Sequence, residues 1–226
     1  MTETLPDLFR PNITAEQLFE ALYQTLYMVS LSLVFSVLVG IPLGVVLVVT
    51  RKGHILENAA IFTSLNPIVN ILRSIPFIIL MVAIIPFTRL LVGTSVGTTA
   101  AVVPLVVYAA PYVARLIENS LLEVDYGIIE AADSMGATKL QIIMRFLLPE
   151  AMGSLILSIT TATIGLVGAT AMAGAIGAGG VGDVAITYGY QRFDNATMII
   201  TVALLVIIVQ GLQSLGNLLS KRARRR

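Results

Sequence analysis

The chain has 226 residues, 57% hydrophobic and 12% charged, with a formal net charge of +1 and a mean hydropathy of +0.92. A soluble domain keeps roughly a quarter of its residues charged, so this composition excludes one and points to lipid as the solvent. The absence of cysteine excludes a disulfide framework, a zinc–thiolate site and a thiol nucleophile, and the absence of Trp leaves Tyr and basic residues as interface anchors.

A bilayer crossing needs about 20 apolar residues. The first such run starts at Gln17 and reaches Thr50, with no charge after Glu20. Thr14 and Gln17 are spaced as a capping box at its start. Gly40, Pro42 and Gly44 predict a bend in its second half. A second span is interrupted by Pro67, Pro76 and Pro86. The uncharged piece from Ser74 to Thr88 makes about 22 Å of helix, which crosses if Arg73 and Arg89 snorkel in opposite directions. A third span runs from about Thr98 to Ala114 and stops at Arg115. A polar stretch, Arg115 to Glu150, follows. The fourth span opens with Pro149, a residue suited to a first helical position, and nothing charged appears between Glu150 and Asp183. The fifth runs from about Asn195 to Leu219, ahead of Lys221, Arg222, Arg224, Arg225 and Arg226.

The fold expected is therefore all-α, with five transmembrane helices in one membrane domain. Arg51, Lys52, Lys139, Arg145 and the basic tail fall on one side of such a map, against Arg10, Arg89 and Arg192 on the other. The positive-inside rule then places the N-terminus outside and the C-terminus in the cytoplasm. The expected organisation is an outer N-terminal segment (1–14), a membrane domain (15–220) with a cytoplasmic loop at about 119–148, and a basic cytoplasmic tail (221–226). A cleavable signal peptide is not expected, because Glu3, Asp7, Glu16 and Glu20 occupy the place of a basic n-region and apolar core.

Several chemistries fall away. Lys52, Lys139 and Lys221 are the only lysines and none follows a glycine, so there is no phosphate-cradling P-loop. The single histidine, His54, sits in a short basic loop and reads as solvated rather than as a ligand. Asp and Glu are absent from the expected span interiors, so a carboxylate proton relay is missing, and neither a Ser–His pair nor two aspartates lie at membrane depth. No catalytic residue, cofactor, metal or nucleic-acid partner is expected. The chain reads as a conduit driven from elsewhere.

The expected cytoplasmic stretch contains Glu130-Ala131-Ala132-Asp133-Ser134-Met135-Gly136 and, after nine intervening residues, Phe146-Leu147-Leu148-Pro149. This resembles the EAA loop of ABC-importer permeases, with Phe146 where that family usually has Ile. Glu130 and Asp133 at i and i+3 share a helical face. Ala131 and Ala132 would let a partner approach closely, Gly136 can end the helix left-handed, and Ile128 and Ile129 offer apolar anchors. The ATPase-coupling residues expected are Glu130, Ala131, Ala132, Asp133, Gly136 and Pro149. The alternative is an interfacial helix packed only on its own bundle.

The stretches Arg73 to Ile78, Ile85 to Arg89, Ala110 to Asn119 and Ala169 to Gly182 are similar to methionine-uptake permeases, and the resemblance covers nearly the whole chain. It implies a type I importer permease fold in the bacterial cytoplasmic membrane, a second copy of the chain, two cytoplasmic ATPase subunits and an extracytoplasmic substrate-binding protein. Five helices are also few to enclose a path alone, which favours a dimer. Within the glycine-rich run Gly174 to Gly182, small residues permit close helix approach and tight turns. Met172 is the bulky exception and reads equally as a gate at a dimer axis or as a filler. Thr160, Thr163 and Thr170 line a path or bond their own helix. Arg73 reads as a snorkelling cation, and the basic tail as an anionic-lipid anchor. Rival readings are a permease for another amino acid, a metal chelate or an alkylphosphonate, a secondary transporter, or a membrane scaffold without a path.

Overall fold

The computed structural model describes residues 12–224, and every regular element among them is helical. The long elements are α1 (Ala15–Val49), α2 (Ala59–Ser74), α3 (Phe77–Ala83), α4 (Ile85–Val92), α5 (Thr98–Leu122), α6 (Tyr126–Ser134), α7 (Met152–Gly174) and α8 (Asn195–Ala223). Short helical pieces cover 139–150 and 181–190. Four helices, α1, α5, α7 and α8, are long and apolar enough to cross a membrane, and five spans result if the broken pair α2 and α3 counts as one. The apolar stretch of α8 is almost wholly exposed, as a lipid-facing helix requires.

The start of α1 forms the expected capping box: the Gln17 amide donates to Thr14 Oγ1 at 3.2 Å and the Thr14 amide to Gln17 Oε1 at 3.0 Å. Pro42 lies inside α1 without ending it. Its neighbours Gly40 and Gly44 serve packing: a Cβ there would fall 2.6 Å from Val113 Cγ1 and from the Ala114 carbonyl oxygen, respectively. These glycines let α1 and α5 approach backbone to backbone, the device by which membrane helices gain contact without a hydrophobic drive.

Three expected limits are corrected. The uncharged stretch after Arg73 is not one helix. The sequence splits it at extended Ile75, with Pro76 heading α3 and Pro86 in the first turn of α4, whereas Pro67 sits within α2 without breaking it. The third span does not stop at Arg115 but continues two turns to Leu122, because Arg115 finds a carboxylate and two amides on the way. The helix thus takes in the first residues of the polar stretch. The last helix also runs on to Ala223.

The described residues divide into two compact units. One comprises 12–34, 76–108 and 163–212. Its small apolar cluster centres on Ala21, Val181 and Val184, and α1 side chains cap the glycine turn: the Gly180 amide donates to Gln24 Oε1 (2.7 Å) and the Val181 amide to Thr25 Oγ1 (2.9 Å). Buried Asp194 accepts from the Thr197 amide and hydroxyl and from the Asn12 amide. The other unit comprises 35–75, 109–162 and 213–224, with a larger core built on Val48, Val113, Ile117, Ile129, Ala132, Ile142 and Leu147.

Candidate coupling and conduction sites

Helix α6 is defined by its ends. Asp125 caps it by accepting from the Gly127 amide at 2.7 Å. Gly136 stops it with φ +79°, the Gly136 amide returning to Asp133 O at 2.9 Å and the Ala137 amide to Ala132 O at 3.1 Å. This pair of bonds is a Schellman motif, so the expected left-handed glycine is in place. A second capping box, Thr138 with Gln141, starts the next helical piece and went unnoticed in the sequence.

The faces of α6 divide the expected coupling residues. Glu130, Ala131, Asp133 and Gly136 are exposed, whereas Ile129 and Ala132 are fully buried against the core of their own unit. Ala132 and Ile129 are thus corrected from partner contacts to the feet that seat the helix. Asp133 is engaged by Lys139 Nζ at 2.7 Å, which leaves Glu130 as the unpaired exposed carboxylate of this face among the described residues. After a stretch of wide π-helical turns, Ile142–Leu147, Pro149 is exposed and Phe146 packs against the same core. An apolar residue at position 146 is what the core demands.

His54 is not the solvated residue expected. It is half-buried, edge-on to the Tyr126 ring at 6.0 Å, and its Nδ1 is buried without a hydrogen-bond partner. Burial, aided by the nearby Arg51 cation, lowers its pKa below the ordinary value, so the ring is neutral at neutral pH.

The sequence reading missed the most connected polar cluster. On α5, Arg115 NH1 donates to Glu118 at 2.5 Å, and its NH2 donates to Asn66 Oδ1 and Asn70 Oδ1 on α2, each at 2.7 Å. Arg51, just past α1, stands 4.0 Å from the other Glu118 oxygen. Glu118 is 2% exposed. The signal was available: two asparagines at i and i+4 on an otherwise apolar face, and Arg and Glu at i and i+3.

In the other unit, Met172 is half exposed, so it does not fill a void within its own fold. It borders a recess of about 360 Å³ with Phe77, Tyr108, Gly165, Gly168 and Ala169, where Phe77 and Tyr108 meet edge to face at 5.3 Å. Thr170 is buried and its hydroxyl donates to Val167 O at 2.7 Å; it serves its own helix rather than a path. Thr163 is buried as well. Thr160 donates to Ile156 O at 2.8 Å. Arg73 lies exposed in the last turn of α2, its guanidinium 6.0 Å from the centre of the Tyr112 ring.

The family described as the binding-protein-dependent transport system inner membrane component matches residues 40–225. The chain belongs to this family. As an inner-membrane component of such a transport system, it is 51% identical over 210 residues, 93% of each chain, to the probable D-methionine transport system permease protein MetI of Vibrio cholerae. It is 50% identical over 157 residues to the D-methionine transport system permease protein MetI of Escherichia coli K12, covering 70% of this chain and 72% of that one. A solved inward-facing structure of the MetNI methionine ABC transporter superposes with a TM-score of 0.91 at 47% identity, covering 92% of this chain and 97% of the other.

Proposed function

We propose that this inner-membrane component is the methionine-conducting permease subunit of an ATP-binding-cassette importer. The observation that carries the cargo is the half-identity to D-methionine permeases over nearly the full length. In this reading two copies enclose the path, and two ATPase subunits bind the exposed face of α6 within 127–137. An extracytoplasmic binding protein delivers substrate. ATP hydrolysis belongs to the partner; this chain moves solute without chemistry of its own. The N-terminus (1–14) lies outside, the loop after Leu122 and the tail (221–226) in the cytoplasm, and Met172 from each copy narrows the path with apolar bulk.

Stripping a zwitterion of water costs several kcal/mol per charged end unless buried charges or amide nests replace it. The recess beside Met172 is lined by apolar, aromatic and small residues, which supports a weakly interacting conduit and selection by the binding protein. Permease reconstituted with its ATPase is expected to take up methionine strongly only with the cognate binding protein present. Tight methionine binding by the isolated permease overturns the division of labour; absence of methionine uptake with all components present overturns the cargo.

A further inference from the structure

The inner end of α8 folds against α7 at two points of close approach. A Cβ at Gly216 would run into the Thr160 side chain, and Ser220, 3% exposed, donates its hydroxyl to the Gly153 carbonyl at 2.9 Å. Gly153 then admits the side chain of Arg224: a Cβ at position 153 would fall 2.5 Å from Arg224 Cγ and 2.8 Å from its Nε. The guanidinium stem therefore lies on bare α7 backbone, which fixes where this cation sits. Asn217, Lys221 and Arg224 follow each other at i, i+4 and i+7, one face of a helix. Together with Ser220 and Leu157 they border a recess of about 350 Å³. Among the described residues no carboxylate lies within ion-pair distance of Lys221 or Arg224. Glu123 and Glu150 border a separate recess that Arg224 also edges. Arg222, by contrast, borders a different recess with Pro149 and Met152.

We propose that the recess of Leu157, Asn217, Ser220, Lys221 and Arg224 holds the phosphate of one anionic phospholipid. The phosphate lies between the ammonium and the guanidinium, and an acyl chain starts along Leu157. Position and chemistry agree: basic pockets between transmembrane helices at the cytoplasmic face bind anionic headgroups, and a guanidinium grips phosphate in two-pronged fashion. This rests on the reading of α8 as a membrane span. It differs from a diffuse attraction of the whole basic tail, because it depends on where Arg224 is seated and not on the net charge.

The test is native mass spectrometry of the purified permease–ATPase complex titrated with phosphatidylglycerol and, separately, phosphatidylcholine. One tightly held phosphatidylglycerol per permease is expected, with phosphatidylcholine weaker. Lys221→Gln and Arg224→Gln should each weaken retention roughly fivefold, the effect of one basic residue near a membrane surface. Arg222→Gln, with the same charge change, should leave it unaltered. Gly153→Ala changes no charge but displaces the flexible Arg224 side chain, and should match Arg224→Gln. Equal losses from Arg222→Gln and Arg224→Gln, or undiminished retention in Gly153→Ala, reduce the recess to diffuse electrostatics and overturn the site. Inorganic phosphate displacing the lipid at comparable concentration overturns the assignment to lipid in favour of a soluble phosphate. Methionine uptake by the same preparation reads the transport function separately, so a lost lipid site with intact uptake sinks only this inference.

Discussion

Gly136 is where one atom decides two things. Its φ of +79° is a region that L side chains rarely adopt, yet the space around it is open. A substitution there is strained in the backbone, at a cost on the order of 1 kcal/mol, but an added Cβ meets nothing of its own fold within 4 Å. The damage of Gly136→Leu should fall on whatever lies against α6. Uptake should fall at least tenfold while the subunit stays in the membrane and ATPase co-purification weakens; wild-type uptake with full co-purification contradicts the coupling role. Met172 supplies the opposite case, a half-exposed bulky side chain whose truncation leaves no fully buried void. Met172→Ala should raise basal ATPase activity or solute leak in proteoliposomes without lowering the melting temperature. Unchanged leak and coupling return Met172 to a bland surface role.

The capping box at Thr14, the left-handed Gly136 and the turn at Gly177 to Gly180 were all legible in the sequence, because each depends on two or three neighbouring residues. What escaped was the partner of each polar side chain. Nothing local says that Asn66 and Asn70 will meet Arg115, or that His54 will stand against Tyr126. The inward turn of Ala132 was hidden for a related reason: an alanine is compatible with either face, and the core that claims it is assembled from distant segments.

At the scale of elements, charge pairing explains why α5 outruns its apolar stretch. Arg115 pairs with Glu118, while Asn66 and Asn70 bring α2 to the same point. Removing one partner of such a buried pair strands the other charge, which costs about 3–5 kcal/mol, whereas replacing both by apolar residues is often neutral. Glu118→Leu should therefore lower the thermal stability of the purified complex markedly, and Arg115→Met with Glu118→Leu should recover much of it. Additive losses in the double variant would show that the two do not act as a pair.

Asp194 does a similar service before α8. Burial by itself would raise its pKa, but hydrogen bonds from the Thr197 hydroxyl and amide and from the Asn12 amide outweigh burial and bring it down to about 2. A depressed carboxylate stabilises the fold above its ordinary value of 3.8 and loses that stabilisation as the pH falls from about 4 to about 2. Protection of the Asn12 amide, its exchange measured against the intrinsic rate at the same pH, should fall over that window, and Asp194→Asn should leave it weakly protected at every pH. Protection that is unchanged across the window in the native chain rules out the tether.

For the whole molecule, the count of spans was readable and their limits were not. Hydropathy locates an apolar run, but the ends are set by what each polar residue finds: a carboxylate extends α5, and Pro76 and Pro86 divide the second span into three helices. The proposed orientation rests on the distribution of basic residues, and exposed positions suit its measurement. Cysteine at Lys52 should label from the cytoplasmic side only, and cysteine at Thr94 from the outside only; labelling of both from one side dismantles the map.

Helix α8 is seated at its start, where Asp194, Thr197 and Thr201 are buried, and again near its end at Gly216 and Ser220, while the apolar stretch between is largely exposed. Its 29 residues make about 43 Å of rise, well beyond a hydrocarbon layer of about 30 Å. Such a rod meets a thinner or thicker bilayer by tilting, and both seats feel the tilt. The least buried of the four long apolar helices is thus the one that a change in bilayer thickness would tilt most directly.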